Sequence, residues 1–557
     1  MNLSDRAENE RPARPRRWVA VVLIFATVVL WFASIEHRKL VNPDEGRYAE
    51  IPREMLASGD WLTPRLNDIK YFEKPPLQYW GTAAIYRVFG FDEWTARLWP
   101  SVTGLLGILL TGFAGWRLFG KKAGVAASLI LLSSVYYLIF ANVLTLDMGF
   151  SFFLNLVLVG YLMAHCDALQ PHARTVWMLV AWGAMGLAVL SKGFAGAALP
   201  PLALVTYTAL QRDRSGWRNL RMGVGVPLLL LIAAPWFISV STANPEFFQF
   251  FVIHEHLQRF TETVHHRSGP WWYFIPVLVV ALLPWLVVLA EGVLGAWRHK
   301  SAPGAFSSRR FLLTWAVSQL VFFSLSGSKL PAYILPILPA LALIIATRIV
   351  ELDGVQIAKR VTPLALLAGL AFFVGTEVME AMHHKPIEFD YYEDYSDWLE
   401  TASVIIVAAG LLLWWQRQAR RVAVVAFCLS LFLASELIIA GFEQLSPLQS
   451  AYSLAERVKP LLNPSTPLFL VDTYNQSLPP YLGRPVTLVA YEDELYFGLQ
   501  QEPDRWIPTL GEFAILWRAL PEGVAIMPIE TFEKLKAAGL PMRVVETWQD
   551  LRIIKVP

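Results

Sequence analysis

Charged residues are scarce in this chain, cysteine is nearly absent, and the motifs of soluble enzymes are missing. Only 17% of the 557 residues are Asp, Glu, Lys or Arg, while 55% are hydrophobic. That balance excludes a soluble enzyme and suits a chain lying mostly in a bilayer. The formal net charge of +2 leaves no cationic surplus for nucleic acid, which is not expected as a partner. The two cysteines, Cys166 and Cys428, are far apart and lie in or beside apolar segments. They exclude a disulfide framework and read as packing residues. No internal repeat is visible, which argues against a transporter built from paired halves.

What is present is a succession of apolar runs. Those near 17–36, 94–116, 122–140, 146–165, 175–190, 194–210, 222–240, 272–294, 310–327, 331–349, 361–382, 401–416 and 421–440 predict about thirteen transmembrane helices of roughly 20 residues. The first follows Arg11, Arg14, Arg16 and Arg17 but lacks a small-residue cleavage site, so it reads as an uncleaved span. Alternate connections carry cations, from Arg117, Lys121 and Lys122 to Arg417, Arg420 and Arg421; placing them in the cytoplasm satisfies the positive-inside rule. The N-terminus is then cytoplasmic, and an odd span count puts the C-terminal region outside. Residues 1–440 form an α-helical membrane domain with a large first outer loop at 37–93. Residues 441–557 alternate short apolar runs with helix-like segments and read as a soluble α/β domain. Without a Gly-rich phosphate loop or a nucleophile motif, that domain is expected to support or regulate, not to catalyse.

The remaining loops, including 145–147, 191–193, 241–271, 326–333 and 382–400, face outward with the first. Within 42–79, carboxylates, cations and aromatics concentrate at the membrane surface, a costly arrangement unless they fold against a watery cavity. Tyr48, Ile51, Pro52, Met55 and Leu56 recur at helical spacing after Asp44 and Glu45, predicting an amphipathic helix lying on the membrane surface. Asp44 would stand at its N-terminus, as a cap, as a catalytic carboxylate, or as both. Glu73-Lys74-Pro75-Pro76 is a stiffened turn; Lys74 is either half of a surface ion pair or a point charge for a phosphate. Asp147 tips an apolar span, a position costing about 2–3 kcal/mol at membrane depth, so it reads as functional ahead of a simple helix cap. Lys192 and Lys329 lie on the face where topology does not favour cations; they either snorkel or bind phosphate. In 241–271, His254 and His256 lack the ligand spacing of a structural zinc site and read as residues of a polar loop. Arg259 there is the better candidate, as an anchor for an anionic headgroup.

Taken in order, Asp44-Glu45, Arg47-Tyr48-Ala49, Glu54-Met55, Gly59-Asp60-Trp61, Pro64, Asn67 and Lys74-Pro75-Pro76-Leu77 closely resemble the bacterial aminoarabinose transferases. These are class C glycosyltransferases related to protein O-mannosyltransferases. The likeness extends to Thr145-Leu146-Asp147, Ser191-Lys192-Gly193, His254-Glu255-His256-Leu257 with Arg259, and Lys329-Leu330-Pro331. It covers the whole membrane region. The resemblance implies a multispan helical bundle, juxtamembrane helices in the first outer loop and a C-terminal periplasmic domain. It implies transfer of 4-amino-4-deoxy-L-arabinose from undecaprenyl phosphate to a lipid A phosphate at the inner membrane, favouring resistance to polymyxin and other cationic peptides. Asp44 is then the leading catalytic carboxylate, with Asp147 second and Glu73 available for the sugar ammonium or a divalent cation. Lys74 and Arg259 lead in binding the lipid phosphate, followed by Arg47, Lys192 and Lys329. Glu45, Tyr48, Tyr71 and Tyr333 complete the set as further substrate contacts. No metal or other cofactor is expected to be essential, although Glu73, His254 and His256 are a conceivable cation site. A monomer is expected, with membrane lipids around it.

Two other readings stand beside this one. A related transferase acting on a Ser or Thr hydroxyl would need a strong general base, which a largely ionised phosphate acceptor with a second pKa near ~6 does not. A lipid transporter would carry charges at the membrane midplane or broken helices in paired halves, whereas here the charges gather at one face.

Overall fold

The computed structural model describes residues 17–212, 214–251, 269–299, 305–382 and 386–557. Arg259, His254 and His256 lie outside them. Each of the thirteen apolar runs falls on a helix or on a helix with a local break, but the count of thirteen spans is not reached. Among the described residues, 10 helices are long and apolar enough to cross a membrane, or 11 with one bent pair. The two that fall short are α9 (Ala195–Gln211), of 17 residues, and the helix Ser308–Leu325. The bent pair is α5 (Lys121–Leu132) and α6 (Val135–Asn142), which meet at 67°. Ser134 starts the second helix: its side chain accepts the Tyr137 N–H at 3.3 Å and donates to the Ala281 carbonyl at 2.8 Å. The expected outer loop at 382–400 is also corrected, because a single helix, Pro386–Trp415, fills most of it.

The bundle packs through small residues as much as through large ones. Where α4 (Glu93–Phe119) crosses α5, a methyl group on Gly124 would sit 2.5 Å from the Gly112 carbonyl oxygen. Only glycine lets the backbones come that close, which is how helices associate in a medium as apolar as their own side chains. Trp31 of α1 (Arg17–His37), with Trp285 and Trp315, fills the centre.

The first loop folds as α2 (Asp44–Ser58), a hairpin of β1 (Arg65–Leu66) and β2 (Ile69–Lys70), and α3 (Leu77–Phe89). Asn67 and Asp68 make the turn with left-handed φ of 56° and 61°, as a two-residue hairpin requires. Helix α2 does not lie on a lipid surface as its pattern predicts. Glu45 to Pro52, Glu54 and Met55 are buried, and a methyl group on Gly46 would sit 2.4 Å from the Ser477 backbone nitrogen. The helix is held between the bundle and the C-terminal domain, so both of its faces are used.

That domain is built on a five-stranded sheet in the order β4-β3-β5-β7-β6. Strands β4 (Thr487–Val489), β3 (Leu468–Val471) and β5 (Val524–Pro528) are parallel; β7 (Leu551–Lys555) and β6 (Arg543–Trp548) complete it antiparallel. It grips the first-loop hairpin. The Asn67 amide donates to the Val486 carbonyl at 2.7 Å and accepts the Val486 N–H at 2.8 Å. Glu502 accepts from the Arg65 guanidinium at 3.0 Å and from the Lys70 N–H at 3.0 Å.

Candidate functional site

The charged groups of the first loop meet those at one end of the bundle. Pro43 occupies the cap position of α2 and no side-chain cap bond forms, so Asp44 is the first residue of the helix and not its cap. Its carboxylate accepts from Arg47 Nη1 at 3.1 Å and stays about half exposed, at 51%. One turn of helix thus presents an accessible carboxylate steadied by a guanidinium. Arg47 itself is buried and pairs on its other side with Glu494 of the C-terminal domain.

Tyr48 follows on α2 and stacks on Tyr79 with ring centroids 6.2 Å apart. Burial first, then the Asp44 carboxylate, raises its phenol well above the usual range; Glu73 and Asp147 add in the same direction, and Arg47 opposes. Three carboxylates, from α2, the link before α3, and α7 (Asp147–Ala164), therefore act on one ring. Tyr71 is likewise raised by burial and then by Glu73, and its buried hydroxyl has no hydrogen-bond partner among the described residues. Both phenols stay protonated at any physiological pH and can serve only as hydrogen-bonding groups.

Glu73 and Lys74 form a second acid–base element. The Lys74 ammonium donates to the Glu73 carbonyl at 2.9 Å and lies 3.6 Å from its carboxylate. The two prolines that follow end the irregular link and let α3 start at Leu77.

Asp147 is the first residue of α7, and Lys192 is the last of α8 (Pro171–Lys192); they form an ion pair. A carboxylate at a helix N-terminus and a cation at a helix C-terminus each sit at the favourable end of the helix dipole. The Lys192 ammonium also lies 5.0 Å from the centre of the Tyr333 ring, a cation–π distance. Lys329 is buried, and its ammonium donates to the Ser326 carbonyl at 2.6 Å. Asp147, Lys192 and Tyr333 are thus brought together, and Asp44, Tyr48 and Tyr71 gather around Arg47 as a second group.

Glu45 is the correction. It is 1% exposed and accepts from Arg97 Nε and Nη2 at 2.7 Å each, so it cannot meet a substrate. Burial raises its carboxyl, but the Arg97 guanidinium outweighs this and holds it down to about 2. Glu494 is the residue that sequence reading misses, because a domain expected only to support supplies it. No signal in the sequence separates it from the neighbouring Glu492 and Asp493. Among the described residues, no group of three or more His, Cys, Asp or Glu side chains could hold a metal ion. The arrangement as a whole offers carboxylates alongside cations and phenols. It suits a reaction in which negative charge develops on a lipid-borne phosphate.

Comparisons with known proteins point the same way. A family model described as aminoarabinose transferase C-terminal domain matches residues 454–556, and one described as dolichyl-phosphate-mannose-protein mannosyltransferase matches 73–238. Undecaprenyl phosphate-alpha-4-amino-4-deoxy-L-arabinose arabinosyl transferase 1 of Pseudomonas fluorescens is 35% identical over 344 residues, spanning 60% of this chain and 60% of that protein. The transferase 2 of that name from Proteus mirabilis is 31% identical over 393 residues, 68% of each chain. The crystal structure of ArnT from Cupriavidus metallidurans bound to undecaprenyl phosphate superposes with a TM-score of 0.91 at 36% identity, covering 98% of this chain and 99% of that one. The archaeal oligosaccharyltransferase AglB from Archaeoglobus fulgidus shares the fold, with a TM-score of 0.51 at 13% identity over 91% of this chain and 69% of its own.

Proposed function

Because the chain belongs to the undecaprenyl phosphate-alpha-4-amino-4-deoxy-L-arabinose arabinosyl transferases, we propose that it moves 4-amino-4-deoxy-L-arabinose from undecaprenyl phosphate to a phosphate of lipid A. It is a glycosyltransferase of the inner membrane, crossing it many times. The product carries an added amine where lipid A had only negative charge, which weakens binding of polymyxin and other cationic peptides. The N-terminus lies in the cytoplasm, the C-terminal domain in the periplasm, and the protein acts as a monomer.

The observation that carries this reading is the half-exposed Asp44 carboxylate held by Arg47, together with the Asp147–Lys192 ion pair at the end of the bundle. In the transfer, the acceptor phosphate oxygen attacks the anomeric carbon, the bond to the donor phosphate breaks, and undecaprenyl phosphate leaves with the electron pair. Inversion at the anomeric carbon follows from direct displacement. Lys74 and Arg259 stabilise charge on the departing phosphate, with Arg47, Lys192 and Lys329 behind them. The acceptor phosphate is already largely ionised, so Asp44 orients the acceptor or the sugar amine and need not be a strong base. Glu73 and Tyr333 contact the sugar and its phosphate, with the buried Tyr48 and Tyr71 behind them. The chain's own cations supply the positive charge, so no metal is essential, and chelation with EDTA leaves transfer unchanged.

The test is mass spectrometry of lipid A from a Gram-negative strain that makes the donor but lacks its own transferase. Wild-type protein adds one aminopentose, and Asp44→Ala and Lys74→Ala do not. Unmodified lipid A alongside well-expressed wild type would sink the acceptor assignment and direct the search to hydroxyl acceptors.

A further inference from the structure

A fully buried charged pair with every guanidinium donor used has one partner directly beside Asp44 in the chain. Arg97, near the start of α4, spends all five guanidinium N–H donors inside the fold. Nε and Nη2 go to the two oxygens of Glu45 at 2.7 Å each. Nη1 donates to the Ile35 and Arg38 carbonyls at 3.0 and 2.5 Å, and Nη2 also to the Lys39 carbonyl at 2.9 Å. Glu45 in turn accepts two backbone N–H groups, Val41 at 3.0 Å on Oε2 and Leu144 at 2.9 Å on Oε1. Both side chains are essentially unexposed, at 0% for Arg97 and 1% for Glu45.

These contacts tie together four segments distant in sequence. They are the end of α1, the start of α2, the first turns of α4, and the link from α6 to α7. Two of them carry the site's candidate acids, the half-exposed Asp44 and the ion-paired Asp147. Asp44 precedes Glu45 directly, and Asp147 opens α7 shortly after Leu144. One carboxylate therefore touches both backbones on which the reacting groups are mounted. A second tie runs beside it, from Arg38 Nη2 to the Asn142 carbonyl at 2.5 Å.

We infer that Glu45, locked by Arg97, is a positioning residue for the transfer reaction: it sets the separation of the Asp44 and Asp147 carboxylates across the site. A buried pair adds little stability over apolar residues of similar volume. Its use here lies in geometry, because a bidentate fork fixes both direction and distance. Misplacement of reacting groups by about 1 Å can cost on the order of 100-fold in rate.

This inference rests on the proposed transferase reading, and its experiment separates the two. Three variants are assayed with undecaprenyl-phosphate-linked aminoarabinose and lipid A. Glu45→Asp keeps the charge on a shorter arm. Arg97→Lys keeps the charge without the fork. The double variant Glu45→Leu/Arg97→Met leaves no orphaned charge. Folded fraction is read by size exclusion and thermal unfolding. The expected result is a fall in kcat of tenfold or more per folded molecule, with the KM for donor within threefold of wild type. A merely structural role would lower activity only in step with the folded fraction, and kcat near wild type in any folded variant overturns the inference. So does failure of all three variants to fold, which would make the pair a folding element alone. If the wild type itself transfers nothing, the transferase reading fails. Hydrogen exchange at the Val41 and Leu144 amides then decides: faster exchange in Glu45→Asp upholds the linkage, and unchanged protection overturns it.

Discussion

Arg47 joins Asp44 on its own helix to Glu494 in the C-terminal domain, and its guanidinium is buried between them. Glu494 is only 10% exposed, so the contact excludes most solvent. Replacing Glu494 by Ala leaves Arg47 with a half-exposed partner and a buried face unmatched. The expected result is a loss of transfer of tenfold or more and a drop in stability of about 1–3 kcal/mol. Lipid A mass spectra and thermal unfolding of the purified protein check the two parts separately.

The Asp147–Lys192 pair yields a second prediction. Both side chains are mostly shielded, at 16% and 19% exposed, at the ends of membrane helices. Lys192→Met strands a carboxylate there and should cost about 3 kcal/mol. Adding Asp147→Asn removes the stranded charge and should restore at least half of that loss, while transfer stays abolished. A double variant no more stable than Lys192→Met would contradict the pairing.

Glu54 gives the pH dependence. Burial first, and then the Glu50 carboxylate to which it is hydrogen-bonded, raise its carboxyl well above the usual range, against the pull of Arg53. Arg53 is already engaged by Glu50 at 2.6 Å through two of its nitrogens, which leaves Glu54 the Asp68 N–H at 3.0 Å as a hydrogen-bonded counterweight. A raised folded value means that stability is fully present below the unfolded value near ~4.3 and is lost as pH rises through the folded one. Wild type should therefore lose stability against Glu54→Gln as pH rises above the ordinary carboxylate range. Parallel stability curves for the two proteins would rule this out. Glu45 has the opposite sign: its contribution is present at neutral pH and fades as pH falls from the unfolded value near ~4.3 towards about 2.

Asn67 tests the hairpin clamp. Asn67→Gly keeps the left-handed backbone but leaves the Val486 N–H and carbonyl without partners, which should cost about 2–4 kcal/mol. Asn67→Ala should cost roughly 1 kcal/mol more, because a Cβ is strained at that φ. Denaturant unfolding measures both, and equal losses would assign the whole effect to the hydrogen bonds.

The sequence made Asp44, Asp147, Lys192 and Lys74 legible because a charge beside a long apolar run has few structural reasons to be there. Glu45 is of the same chemical type as Asp44 and one position away, yet the helix turns it about 100° towards the bundle. Which of the two is buried is settled by Arg97, fifty-two residues further on. Arg97 falls inside a predicted span, where composition alone shows one cation and not the carbonyls it collects. Helix α2 reads as membrane-bound because its apolar stripe is real; the surface that covers its polar side belongs to residues near Ser477. Span counting from composition is matched for 10 or 11 of the thirteen runs among the described residues. Apolar periodicity measures how a helix is surrounded and does not distinguish lipid from other helices.

The hairpin clamp also sets an order of events. Asn67 and the strand edge it holds are separated by 419 residues, with nearly the whole bundle between them. During synthesis the Asp44 helix is made before all but the first of the bundle helices, and Glu494 and Val486 follow only after them. Until the C-terminal domain has been made, Arg47 lacks its second partner and Asn67 lacks the Val486 backbone.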